Sequence, residues 1–126
     1  MNNGEDADGK TIWSFGNAAI NGKAENTIVE PIKRGAIDNW PEMEQLWSHI
    51  FDELNLESKN FNVLMTDSPF STKKSRSKMA QFMFETLQVK SLAIMNTAAL
   101  SMYSSGRVSG LIAEVGEGIS YTVPIF

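Results

Sequence analysis

The chain has 126 residues, 42% apolar and 21% charged, with a net charge of −4, no cysteine and a single histidine, His49. That is enough for one globular domain around one core, while the missing cysteines and lone histidine exclude disulfides, thiolate metal sites and a His-based zinc or catalytic cluster. The acidic balance argues against nucleic-acid binding, which needs clustered Lys and Arg, and no apolar run is long enough to span a bilayer.

The start of the chain, Met1 to Asp8, is polar and acidic and lacks the basic and apolar segments of a secretory signal. A cytoplasmic location and protein partners are therefore expected. Residues 1–26 hold only one brief apolar cluster, Ile12 to Phe15, and read as a flexible polar arm before a domain over 27–126. From Asn39 onward Met43, Leu46, Trp47, Ile50, Phe51 and Leu54 recur at helical spacing, with Asn39 as the N-cap and Glu42 three residues on. His49 falls off that stripe and reads as a solvated surface residue.

Val63 to Thr66 is a short apolar run ended by Asp67-Ser68-Pro69, the pattern of a buried strand leading into a turn. A helix with Met79, Phe82, Met83, Thr86 and Leu87 on one face is expected next. Lys73, Lys74, Arg76 and Lys78 crowd its first turns, against the helix dipole, and read as a solvated face in preference to a site for an acidic partner. Ser91 to Met95 predicts a second buried strand, and Asn96 can cap a short helix from Thr97 to Ser105 that Gly106 terminates.

The last segment holds two strands about the acidic turn Glu114-Val115-Gly116-Glu117-Gly118. Gly116 and Gly118 can take positive φ there and present bare N–H groups to an anion, the physics of a phosphate-binding nest, although most such turns are only turns. Helices alternating with buried strands, closed by a hairpin, indicate an α/β fold with mixed strand directions and flanking helices.

Glu30 to Trp40, followed by Met43-Glu44 and Trp47, resembles the segment of actin that enters its first long helix. The agreement continues in order through Leu64 to Pro69, Arg76 to Met79, Met83 to Thr86, Leu100 to Arg107 and Tyr121 to Ile125. The chain thus resembles an actin or actin-related protein over about 100 residues. The resemblance implies part of the first lobe of the actin-like ATPase (ribonuclease H-like) fold, shared with sugar kinases and heat-shock ATPases. It ends just after the second phosphate loop. It also implies a place in the cytoskeleton, with other actin-like subunits or actin-binding proteins as partners.

Family members bind ATP and a divalent cation between two lobes. The resemblance therefore places Glu114, Val115, Gly116, Glu117 and Gly118 as the phosphate-facing residues, with Glu114 reaching Mg2+ through its water shell. The family's first phosphate loop and adenosine-contacting loops have no counterpart in this sequence, so ATP and Mg2+ binding is expected to be weak or absent in this chain alone.

Glu114 stands where the family has aspartate, and Val115 where it has a serine that donates a hydroxyl. Thr97 stands at the position of the water-orienting glutamine and Tyr121 at that of a nearby histidine, so hydrolysis is expected to be impaired. Asn96, next to Thr97, is turned about 100° away on a helix and does not replace the glutamine. Arg34 occupies the position of a histidine that many actins methylate. Tyr103, Gly106 and Val108 match one wall of a cleft that receives amphipathic helices, unless Tyr103 is core and Gly106 only a C-cap. The resemblance thus points to a non-catalytic subunit acting through protein contacts. The alternative is an actin-type ATPase whose remaining lobe is missing or supplied by another chain.

Overall fold

A computed structural model describes residues 2–5, 11–21 and 27–126, and these divide into two compact units. The first unit comprises Met1–Ile32 and Ile37–Leu54. In it β1 (Asn2–Glu5) lies between β2 (Thr11–Ser14) and β3 (Thr27–Ile28), antiparallel to both, with Asn3 opposite Trp13 and Thr27. Helix α1 (Gly16–Asn21) buries Ala19.

Where the stretch 1–26, expected as a flexible polar arm, is described, it forms two strands and a helix; positions 1, 6–10 and 22–26 lie outside the described residues. Strand pairing is made by backbone groups, so a polar sequence can enter a sheet without the apolar alternation that marks a strand in sequence.

Strands β4 (Ile32–Lys33) and β5 (Ala36–Ile37) pair about a two-residue turn. Arg34 (φ 49°) and Gly35 (φ 72°) are both left-handed there, the signature of the type I′ turn that matches strand twist. Helix α2 (Trp40–Glu53) buries Met43 and Trp47, and Trp47 meets Trp40 edge to face, with ring centroids 6.4 Å apart. Asn39 sits at the N-cap with extended backbone, but its side chain makes no capping bond, and Pro41 in the first turn removes one of the N–H groups that would need a cap. The far end of the stripe, Ile50 and Leu54, is exposed. His49 is half-buried and not fully solvated, its ring stacked on Phe15 at 4.0 Å and 11°.

The second unit comprises Lys33–Ala36 and Asn55–Phe126. A 3-10 turn (Ser58–Asn60) precedes β6 (Asn62–Asp67), and α3 (Lys73–Gln81) runs into one π turn (Phe82–Thr86). Then follow β7 (Ser91–Asn96), α4 (Thr97–Ser104), β8 (Gly110–Val115) and β9 (Ser120–Ile125). Strands β6 and β7 are parallel, Val63 opposite Leu92, as a strand–helix–strand crossover requires. Strands β8 and β9 form an antiparallel hairpin. The mixed directions expected from sequence are present, distributed over separate two-stranded pairs.

Neither β6 nor β7 is a wholly buried strand, since burial alternates along both and Leu64 is exposed. Met79, Phe82, Met83, Val89, Ala98 and Met102 supply the buried apolar side chains of this unit. Thr86, expected on the apolar face of the second helix, is exposed, because the π turn adds a residue and rotates the end of the stripe away from the core. Thr72 caps α3 by accepting from the Ser75 N–H at 3.1 Å.

Candidate functional site

The residues placed at family catalytic positions all belong to the second unit, and α4 with the β8–β9 hairpin brings them together. Asn96 caps α4 with its own side chain, accepting from the Ala98 N–H at 2.8 Å, which fixes where the first helical residue, Thr97, lies. Ser101 follows four residues later on the same helix face. Across from them, hairpin register sets Glu114 of β8 directly opposite Tyr121 of β9. Cross-strand partners share a sheet face, so both side chains reach the same place.

These four side chains form one hydrogen-bonded chain. The Tyr121 hydroxyl donates to Glu114 Oε2, and Ser101 Oγ donates to Glu114 Oε1 at 3.2 Å. Thr97 Oγ1 lies 3.1 Å from the Tyr121 hydroxyl. A phenol has one proton, and Tyr121 directs it at the carboxylate, so Thr97 is the donor in this last bond. The bond to Glu114 holds the Tyr121 phenol above its ordinary range; the Thr97 bond works against this, while burial and the Glu114 charge add to it. The Tyr121 ring also meets Phe70 edge to face at 5.6 Å.

The acidic turn is built differently from the nest expected of it. Among the described residues the left-handed glycines are Gly16, Gly35, Gly106 and Gly110, so Gly116 and Gly118 do not take positive φ. The Gly116 N–H instead bonds the Ile119 carbonyl at 3.0 Å and closes the hairpin. The Arg34–Gly35 turn lies against this loop: a Cβ on Gly118 would stand 3.5 Å from the Arg34 backbone, and one on Gly35 would stand 3.3 Å from Ile119 Cγ2. Gly35 is held to a small residue by its positive φ and this tight contact, whereas a Cβ on Gly118 would make an ordinary contact. Val115, Glu117 and Gly118 are exposed.

Among Thr97, Ser101, Glu114 and Tyr121, Glu114 is the one carboxylate, so these side chains could meet a divalent cation only through its water shell. Both oxygens of Glu114 already accept hydrogen bonds, and among the described residues no cluster of three or more His, Asp or Glu side chains could enclose a metal ion. The Thr97 proton is engaged by Tyr121 and the Tyr121 proton by Glu114, so neither hydroxyl has a proton left to donate, although each keeps a lone pair that can accept.

At the other end of α4, Tyr103 and Val108 are exposed, so Tyr103 is not core. Gly106 (φ 74°) does end the helix. Its N–H bonds the Tyr103 carbonyl at 2.9 Å and the Arg107 N–H bonds Met102 O at 3.4 Å, the paired bonds of a Schellman motif. Asn96 precedes the helix in extended backbone and caps it, so it is not a helical neighbour of Thr97.

Ser101 and Phe70 escaped the sequence reading. The four-residue step from Thr97 would have found Ser101; Phe70, in the loop after β6, carried no local signal.

The family comparisons agree with this arrangement of elements. The chain matches the Actin family model over residues 2–126, so the match takes in the stretch before residue 27. It is 35% identical over 109 residues to actin-like protein 9 of Rattus norvegicus, an alignment covering 86% of this chain and 26% of that protein. The chain spans about a quarter of the length of that curated relative. With the family match running almost end to end, the chain belongs to the actin family and forms a partial α/β domain of the actin-like ATPase fold.

Proposed function

We propose that this chain acts as an actin-like structural component, through contacts with other actin-like subunits or actin-binding proteins in the cytoplasmic cytoskeleton, with impaired ATP hydrolysis. The observation that carries this reading is the bond between Thr97 and Tyr121, continued from Tyr121 to Glu114. The protons of both side chains at the positions that would orient an attacking water are engaged within the protein. A second support is the exposure of Tyr103 and Val108 beside the Gly106 cap, a surface suited to an apolar partner helix.

A second reading is an ATP-binding protein whose remaining lobe comes from elsewhere, with Glu114, Val115, Gly116, Glu117 and Gly118 facing the phosphates and Mg2+. The exposure of Val115, Glu117 and Gly118 favours it. It requires the water shell of a cation to use the Glu114 lone pairs that Ser101 and Tyr121 leave free.

Thermal unfolding of the purified chain with and without Mg-ATP, together with a phosphate-release assay, separates the two. A ligand at one hundred times its dissociation constant adds about 2.7 kcal/mol of stability. The structural reading expects no shift and no phosphate release. A clear upward shift would support the second reading, and phosphate release would remove the first.

A further inference from the structure

We infer that Tyr121 is an internal tether that fixes α4, the β8–β9 hairpin and the loop after β6 to one another without help from a ligand. The inference rests on the nucleotide-independent reading above and adds what holds the site closed. Three separate elements meet on this one side chain. Its hydroxyl reaches Thr97 at the start of α4 and Glu114 on β8, and its ring reaches Phe70 in the β6–α3 loop. Ser101 completes the ring of bonds by returning from Glu114 to α4 one turn further along.

The geometry makes the parts interdependent. Glu114 has one oxygen on the helix and one on the opposite strand, so it orients Tyr121 while Ser101 orients it. Tyr121 gives its proton to Glu114 and takes one from Thr97, a donor–acceptor relay in which each bond polarises the next. Such a network stabilises as a unit, and loss of its central hydroxyl leaves the outer partners with little to lose.

A double-mutant cycle tests this on the full chain, with thermal unfolding as the readout. Tyr121→Phe keeps the ring against Phe70 but removes the shared hydroxyl, and is expected to lower Tm by about 5 °C. Thr97→Val in the native background should also lower Tm, and in the Tyr121→Phe background should have almost no further effect. Additive losses, or no loss from Tyr121→Phe, would overturn the tether.

Should Tyr121→Phe fail to fold, the phenol itself gives the answer in a Tyr103→Phe chain, where Tyr121 is the one tyrosine left to titrate by absorbance. Glu114→Gln should then lower its titration midpoint, and an unchanged midpoint would overturn the proposal. Mg-ATP added to the native chain reports separately: a stabilising shift removes the nucleotide-independent reading, whereas the cycle and the titration alone judge the tether.

Discussion

Arg76 Nε lies 2.6 Å from Asp67 Oδ2, tying the second turn of α3 back to the last residue of β6. Asp67 is 7% exposed, whereas the arginine side chain is 45% exposed, so the carboxylate depends on the guanidinium far more than the reverse. The basic run ahead of Met79 is thus not only a solvated face. One of its members satisfies a buried acid that the strand delivers.

Removing the arginine should therefore hurt more than neutralising the acid. Arg76→Met leaves a buried carboxylate without its charged donor and is expected to cost about 1.5–3 kcal/mol in urea unfolding, the range for hydrogen bonds to charged groups. Asp67→Asn should cost less, and the double variant less than the sum. Equal and additive losses would show that the pair contributes as two independent surface groups.

The turn between β4 and β5 holds a long side chain in left-handed backbone, with Arg34 at φ 49°. Asparagine tolerates that region better than arginine. Arg34→Asn is expected to raise stability by about 1 kcal/mol with an unchanged denaturant slope. Gly35→Val, with φ 72° and Ile119 Cγ2 at 3.3 Å from its Cβ, should lose about 1–3 kcal/mol. A neutral or destabilising Arg34→Asn would mean that the arginine side chain offsets its own strain.

Raised in the folded state by its bond to Glu114, the Tyr121 phenol holds its proton more tightly folded than unfolded. Its stabilisation is then complete below the ordinary tyrosine value of about 10 and is lost as pH climbs through the folded value. Unfolding followed from about pH 8 to about pH 11 in the native and Glu114→Gln chains should show the native advantage shrinking above about pH 10. A pH-independent difference would contradict the assignment.

Met83 is fully buried at the π turn that ends α3. Truncating it to alanine should cost about 2–5 kcal/mol, the range for Leu, Ile or Met to Ala in a core. Phe84, its exposed neighbour, should tolerate alanine with a far smaller loss, and calorimetry of the two variants side by side checks the contrast.

The helices were legible because their signals are local. The Met43–Trp47 spacing, the Asn96 cap and the Gly106 stop each act within one or two turns of chain, and each is found where expected. Strand β1 was not legible, since Asn2 to Glu5 are polar and pair through the backbone, and β2, which takes in Ile12 and Trp13 of the apolar cluster, is too short to mark a strand by alternation. Glycine chemistry misled at Gly116 and Gly118: sequence shows that a side chain is missing but not why, and at Gly116 the reason is crowding against the Ile119 carbonyl that closes the hairpin, while at Gly118 neither φ nor crowding requires glycine. Replacement of the catalytic side chains at Thr97 and Tyr121 was visible from the resemblance, but their bond to each other depends on the hairpin register that faces β9 towards α4.

That register has a consequence for how the hairpin forms. Glu114 and Tyr121 are separated by six residues around a short loop and meet only when Ile112 faces Val123 and Gly110 faces Ile125. A slip of one residue would send one of the two to the opposite face of the sheet and break the bond. The hydroxyl–carboxylate pair is therefore a proofreading contact, rewarding a single alignment of two strands whose remaining pairs, aliphatic or small, discriminate poorly between neighbouring alignments.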